Sequence, residues 1–169
     1  YHCMKARALK EDILRLLGKN EQADKLRIES MDIDPLYDRK PEKINHNTLI
    51  ELVNDKYEAG LYKQGIDFAL SWVEAQKEIY PLVFYYIAYG YRMLEDMESA
   101  QKYCILAENA VADGCFPHRM EDYIVLSALA EKFDLGMARF YLGCLLYDKR
   151  VYDEAVADYE AAREKCPDF

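Results

Sequence analysis

Residues 138–162 read ARFYLGCLLYDKRVYDEAVADYEAA, and this stretch decides the fold. A polar break at 148–150 separates two segments whose apolar residues recur at helical intervals. The residues that carry the pattern are Leu142, Gly143, Ala155, Tyr159, Ala162 and, beyond the stretch, Pro167. Small side chains at such offsets let two antiparallel helices approach closely, and the larger Leu and Tyr side chains fill the space between them. The stretch therefore predicts a hairpin of two packed helices.

This hairpin resembles the tetratricopeptide repeat, a unit of about 34 residues with the pattern W-x2-L-G-x2-Y, then A-x3-F, then P. Arg139 stands in the place of the Trp, and Leu146 stands in the place of the Tyr. The family folds as a right-handed superhelix of antiparallel helix pairs, so the resemblance implies an all-α chain. The last repeat is also similar to repeats that follow a large β-rich domain in some gut-bacterial proteins. We therefore expect a bacterial tetratricopeptide module.

The same spacing recurs along the chain, which predicts four repeats in one domain over 1–169. The repeats span about 4–37, 46–79, 81–114 and 136–169. In the third, Phe84, Ile87, Ala88 and Tyr91 stand at the offsets of the family's Trp, Leu, Gly and Tyr. A polar spacer over 38–45 separates the first two repeats. An extra helix is predicted over about 119–133.

Local sequence features predict several helix boundaries and one pair of widely spaced helices. Asn47 or Thr48 is expected to cap the helix that opens the second repeat, and Pro81 suits a first helical position. Gly65 stands at the small position of the second repeat, and Trp72 stands where a small residue is usual. This exchange predicts a wide gap between the two helices of that repeat.

Composition excludes several classes of function. The 169 residues include 15 Tyr and carry a formal charge of −9. Nucleic-acid binders and proteins that adsorb to anionic membranes need an excess of Lys and Arg, so neither nucleic acid nor membrane is an expected partner. No apolar run approaches the roughly 20 residues of a membrane span, and no signal peptide is present. The five Cys are typical of small buried thiols in a reducing compartment, and we expect a cytoplasmic location. Because the chain begins with Tyr1 rather than Met, we expect a piece of a longer polypeptide.

Catalytic and metal-binding motifs are missing from the sequence. Its five Cys and three His show no metal-ligand spacing, and the close pairs are His2-Cys3 and Cys115 with His118. No phosphate loop, nucleophile elbow or zinc-protease motif occurs. The carboxylate pairs at 121–122 and 153–154 are typical of solvated first-turn residues of helices. We therefore expect no enzyme, no metal and no cofactor.

The resemblance implies a concave groove lined by the first helix of each pair, where family members hold a peptide or a helix. Tyr and Arg are enriched in binding hot spots because they bury large area and keep a polar group. The expected groove residues are Tyr57, Tyr85, Tyr86, Tyr89, Arg92, Phe140, Tyr141 and Tyr147. An equally open alternative is that some of these rings pack against the extra helix.

The sequence thus favours a non-catalytic scaffold that binds a protein, a peptide or another domain of the same polypeptide. A second hypothesis is an accessory module that binds carbohydrate or a small molecule, since aromatic faces also stack on sugars. A third is self-association through the uncapped C-terminal end, around Val156, Tyr159 and Phe169.

Overall fold

The structure, a computed structural model, describes residues 4–37, 43–111 and 114–166, with the backbone alone for Leu36. Within these ranges the chain forms nine α-helices, a short 3₁₀ helix over Pro35–Tyr37, and no β-strand. The helices are α1 (Met4–Leu16), α2 (Asn20–Ile33), α3 (His46–Glu58), α4 (Tyr62–Ala75), α5 (Pro81–Met93), α6 (Met97–Glu108), α7 (Met120–Phe133), α8 (Gly136–Asp148) and α9 (Tyr152–Lys165). The predicted all-α class is confirmed, as is Pro81 as a first helical residue.

Eight of the helices pack as four hairpins, namely α1 with α2, α3 with α4, α5 with α6, and α8 with α9. Three residues join the two helices of every hairpin. The remaining helix, α7, packs against α8 and α5 and coincides with the extra helix predicted over 119–133. Paired helices thus lie in the ranges of the four predicted repeats, while the division into repeats and membership of the tetratricopeptide family stay predictions.

The four hairpin turns share one backbone conformation. A left-handed residue stands two positions before the second helix of each pair: Gly18 with φ 70°, Gly60 with φ 74°, Glu95 with φ 63° and Arg150 with φ 63°. This region disfavours an L side chain by roughly 1–2 kcal/mol, whereas glycine enters it freely. Packing of the paired helices therefore imposes the conformation at Glu95 and Arg150, where the sequence carries no glycine.

Small side chains lie where the paired helices come closest. Five residues after each left-handed residue stands a buried small one: Ala23, Gly65, Ala100 and Ala155. Ala88 and Gly143, the small residues predicted on the first helices, are buried as well. A Cβ atom added at Gly143 would lie 2.7 Å from the Tyr159 ring. The absence of a side chain at Gly143 thus makes room for that ring.

The helices group into two compact units, which we call the N-terminal unit (Tyr1–Ala75) and the C-terminal unit (Gln76–Phe169). The N-terminal unit holds α1 to α4 around a core that includes Leu49, Ile50, Val53 and Ile66. The C-terminal unit holds α5 to α9 around Leu82, Ile87, Leu126, Leu129 and Leu145. The expectation of one domain over 1–169 stays a prediction.

The start of α3 corrects the predicted cap. The Asn45 side chain accepts a hydrogen bond from the backbone N–H of Thr48 at 2.9 Å, so Asn45 is the N-cap and the helix begins at His46. Asn45 reaches that amide because its extended backbone directs the side-chain oxygen over the first turn. Residues 38–42 of the predicted spacer and Pro167 to Phe169 of the last repeat lie outside the described residues.

The gap predicted between α3 and α4 is filled by an aromatic ring. A Cβ atom at Gly65 would overlap the ring of Tyr57, which is only 5% exposed. The Trp72 indole N–H donates to the carbonyl of Ile44 at 2.9 Å, on the segment before α3. Tyr57 thus occupies the space that the missing side chain of Gly65 leaves, and the expected wide spacing of α3 and α4 stays a prediction.

Candidate functional site

Two of the predicted groove residues, Tyr85 and Tyr86, lie inside the C-terminal unit, where they are 0% and 1% exposed. The Tyr86 hydroxyl donates to the Asp122 carboxylate on α7 at 2.9 Å. Asp122 also accepts the backbone N–H groups of His118 at 2.9 Å and Arg119 at 3.0 Å. The helix α7 therefore covers the surface that these rings were expected to line. Asp122, expected to be solvated, is fully buried because three donors compensate its loss of water.

Tyr85 takes part in a second carboxylate cluster, which fixes the start of α8. Its hydroxyl donates to Glu108 at 2.6 Å, and the same carboxylate accepts the backbone N–H groups of Met137 at 2.9 Å and Ala138 at 3.0 Å. The N-cap of α8, Leu135, has no side-chain oxygen to offer these amides. Burial raises the pKa of Tyr85 above its ordinary value, and the Glu108 charge adds to this effect. Glu108 thus caps α8 from another helix.

Tyr141 and Tyr57 are core residues as well, at 1% and 5% exposed. The Tyr141 ring meets Tyr85 edge to face, with centroids 6.1 Å apart. Burial raises the pKa of Tyr141, beside the Cys115 thiol. Four of the eight predicted groove residues are therefore packing residues. Their expected contact with a peptide is corrected, because these rings fill the spaces between helices.

The other four predicted residues keep part of their surface accessible. Tyr89 and Arg92 are half-buried on α5, where the Arg92 guanidinium lies 3.8 Å from the Met93 sulfur. Phe140 is half-buried on α8, and Tyr147 is 63% exposed near the end of the same helix. The accessible predicted residues are thus divided between α5 and α8, and the most exposed of them, Tyr147, lies on α8.

The helices α8 and α9 present a shared surface, which we call the aromatic face. It consists of Phe140, Cys144 and Tyr147 on α8 and of Tyr152, Val156 and Tyr159 on α9. The ring centroids of Phe140 and Tyr159 lie 5.9 Å apart, and those of Tyr147 and Tyr152 lie 5.7 Å apart. Tyr152 and Val156 are each 54% exposed. These contacts hold the rings in place while one side stays open to solvent.

Helical spacing explains how the six side chains come together. Tyr152, Val156 and Tyr159 recur at intervals of four and three residues, so they lie on one side of α9. The residues predicted for the groove all lie on the first helix of each pair. Tyr152 was therefore not predicted, and Val156 and Tyr159 were expected in self-association or helix packing and not in the groove. The helical period of α9 places Tyr152, Val156 and Tyr159 on one side of the helix and could have predicted their shared surface.

A shallow pocket of about 190 Å³ opens at one end of the aromatic face. Its lining consists of Gly136, Met137, Phe140, Tyr159, Ala162, Arg163 and Cys166. The walls are mostly apolar, and the one charged side chain in this lining is the exposed Arg163. This combination suits an apolar anchor with an acidic group beside it.

A second concavity, of about 210 Å³, lies in the N-terminal unit. Glu11 accepts hydrogen bonds from Arg15 at 3.0 Å and from the Tyr37 hydroxyl at 3.2 Å. Lys56 pairs with Asp12. The charged side chains of this concavity therefore compensate one another, and their arrangement is that of a structural ion-pair cluster.

The thiols of the C-terminal unit are poor nucleophiles. Burial raises the pKa of Cys115 to about 11 and that of Cys104 to about 12. His118, which forms a close pair with Cys115 in the sequence, is exposed, and its Nδ1 lies 3.3 Å from the Phe116 carbonyl oxygen. In the described ranges, no three His, Cys, Asp or Glu side chains converge as a metal site requires. The pair His2-Cys3 lies outside those ranges.

Comparison with known protein families and with curated proteins finds no match to this chain. Among the helices that the structure describes, none combines the length and apolar character needed to cross a bilayer.

Proposed function

We propose that this chain is a tetratricopeptide-like module that acts as a non-catalytic interaction scaffold and binds a protein segment on the aromatic face. The observation that carries the proposal is a cluster of partly exposed rings held on a closely packed helix pair. Aromatic side chains with few rotatable bonds lose little entropy on binding, and they supply large contact area. A surface fixed in this way before binding favours affinity.

The pocket beside the aromatic face defines the kind of segment expected. A volume of about 190 Å³ accepts one large apolar side chain, and Arg163 offers a charged partner at its rim. We therefore expect a peptide or helix with a Leu, Phe or Trp anchor followed closely by Asp or Glu. The four matching hairpin turns support the family assignment, since one backbone conformation recurs at one position of every pair.

Selection from a phage-displayed library of random 12-residue peptides on the full chain tests this proposal. Enriched peptides should share an aromatic or aliphatic anchor with a nearby acid. Tyr147→Ala and Arg163→Glu should each weaken their binding tenfold or more, about 1.4 kcal/mol, as measured by fluorescence anisotropy. Tyr123→Ala, which removes a 38% exposed Tyr from α7, serves as the control and should leave binding unchanged.

Three outcomes would overturn the proposal. The first is a selection without enriched peptides. The second is binding to a glycan array that Tyr147→Ala abolishes, which would favour the sugar-binding alternative. The third is concentration-dependent dimerisation in sedimentation equilibrium that Val156→Glu abolishes, because the aromatic face would then bind its own copy. Phe169, the other residue expected in self-association, lies outside the described residues.

A further inference from the structure

The pocket at the end of the aromatic face has a base of small residues. Gly136 and Ala162 both line it, and both are buried, Ala162 at 6% exposed. A Cβ atom added at Gly136 would lie 2.5 Å from the Cys166 sulfur, so the end of α9 lies close to the start of α8 and brings a sulfur atom against this base. The opening of about 190 Å³ therefore depends on the two smallest residue types at positions 136 and 162.

The walls of the pocket are aromatic rings and sulfur-containing side chains. Phe140 and Tyr159 are half-buried, and their ring planes are tilted by 49° with centroids 5.9 Å apart. Such a pair presents a ring face and a ring edge, against which a third ring packs edge to face or offset. Met137 and Cys166 add polarizable sulfur, which makes favourable contacts with aromatic rings. These surroundings favour an aromatic side chain over an aliphatic one.

The rim of the pocket provides a positive charge. Arg163 is exposed and is the charged residue among those that line this pocket. Lys165, the next cation along α9, is paired with Asp134. The planar guanidinium of an Arg matches the two oxygens of a carboxylate, and this geometry is stronger than a single neutral hydrogen bond. A carboxylate close to the bound ring therefore complements the rim.

We propose that this pocket binds an aromatic side chain whose nearest carboxylate pairs with Arg163, and that Ala162 determines the size of ring that enters. The proposal rests on the function proposed above and narrows it from any large apolar anchor to an aromatic one. Ala162→Val would place two more methyl groups at the base of the pocket. The space for a ring would then be lost, whereas a smaller side chain would still fit.

The probe is N-acetyl-L-phenylalanine, a small molecule that carries one ring and one carboxylate. The full chain is isotope-labelled at its six Met methyl groups and titrated with the probe in NMR experiments. The ring should shift the Met137 signal, assigned with Met137→Leu, more than the other Met signals. A ligand of this size should bind with a Kd of about 1 mM. N-acetyl-L-leucine and N-acetyl-L-phenylalaninamide, which lack the ring and the carboxylate respectively, should each bind at least threefold more weakly.

Variants of the chain test the two residues that the proposal names. Ala162→Val should weaken binding of N-acetyl-L-phenylalanine at least fivefold, whereas Ala157→Val should leave it unchanged. Ala157 is the matched control because it lies on the same helix, is exposed and does not line the pocket. Ala162→Gly, which only removes atoms, should increase the affinity for N-acetyl-L-tryptophan relative to the phenylalanine probe. Arg163→Gln should make the acid and the amide probes bind equally.

Three results would overturn the proposal: equal affinities for the phenylalanine and leucine probes, equal effects of Ala162→Val and Ala157→Val, or a Met137 shift no larger than those of the other Met. None of these results depends on the peptide selection. Enriched peptides with aliphatic anchors would overturn the aromatic preference and leave the proposed scaffold function standing. A selection without enriched peptides, together with specific binding of the phenylalanine probe, would overturn the scaffold function alone.

Discussion

Replacing Asp122 by Ala should destabilise the C-terminal unit by about 3–4 kcal/mol. The carboxylate is fully buried and accepts hydrogen bonds from the Tyr86 hydroxyl and from two backbone N–H groups, those of His118 and Arg119. Hydrogen bonds to a charged group contribute about 1.5–3 kcal/mol each, and an orphaned buried hydroxyl costs about 1–3 kcal/mol. The net loss of stability is smaller than the sum of these contributions. The Ala variant no longer has to bury a charged carboxylate, and water can enter to hydrogen-bond the two backbone amides.

A double-mutant cycle separates the hydrogen-bonding effect from general loss of packing. Tyr86→Phe alone should cost about 1.5–2 kcal/mol, since it removes one charge-assisted hydrogen bond. When Tyr86→Phe is added to the Asp122→Ala variant, it should cause no further loss of stability or a small gain, because the hydroxyl has already lost its acceptor. The expected coupling between the two positions is thus about 1.5–2 kcal/mol. Strictly additive losses would refute the reasoning.

Urea unfolding of the full chain followed by circular dichroism measures these free energies. The sequence contains a single Trp, Trp72, which lies in α4 of the N-terminal unit and is 3% exposed. Its fluorescence therefore reports the N-terminal unit, and its midpoint should stay unchanged in all three variants. A shift of that midpoint equal to the shift seen by circular dichroism would contradict an effect confined to the C-terminal unit.

Three further predictions concern the hairpin turns, the helix contacts and the pH response. Arg150→Gly should stabilise by about 0.5–1 kcal/mol, because glycine relieves the left-handed strain and loses part of that gain to unfolded-chain entropy. Lys149→Gly is the control: Lys149 has an ordinary φ of −79°, so glycine at this position should lower the free energy of unfolding. Urea unfolding measures the free energy of both variants. Gly143→Ala should cost about 1–3 kcal/mol in the same assay, since its Cβ would meet the Tyr159 ring at 2.7 Å. Burial and the nearby Asp122 charge raise the pKa of Tyr86 above its value in the unfolded chain. The Tyr86 hydroxyl therefore contributes fully to the free energy of unfolding below about pH 10. Above that pH its contribution falls by up to about 1.4 kcal/mol per pH unit. Absorbance at 295 nm should accordingly detect its ionisation only together with unfolding; ionisation of every Tyr while circular dichroism stays native would contradict this.

The extra helix illustrates why half of the residues predicted for the groove are buried in the structure. Its apolar pattern predicted α7 within one residue at its N-terminal end, because helical periodicity is a local property. Nothing local indicated that Asp122 at its start would accept the Tyr86 hydroxyl, since the two residues lie 36 positions apart. A Tyr with an apolar ring and a polar tip suits both a groove and a core. The choice between them depends on a partner that periodicity does not identify.

The start of α8 is a second place where a residue distant in the sequence, Glu108, determines the local structure. The sequence has Leu135 and Gly136 there, with no capping side chain, and yet the first amides of the helix are satisfied. The acceptor comes from the end of α6, some 30 positions earlier in the chain. Local capping rules predicted Asn47 or Thr48 as the cap of α3, two or three residues beyond the actual cap, Asn45, and they cannot locate a cap supplied by another helix.

The sequence by itself determined the helices, their pairing and the small residues at the close contacts, because periodicity, turn signals and side-chain size act over a few neighbouring residues. Tertiary structure alone decided which rings are buried and which stay accessible. Tyr85, Tyr86 and Tyr141 became core residues through distant carboxylates and rings, while Tyr147 and Tyr152 stayed exposed. The physical reason is that burial depends on what packs against a side chain, and packing brings together segments that are far apart in the chain.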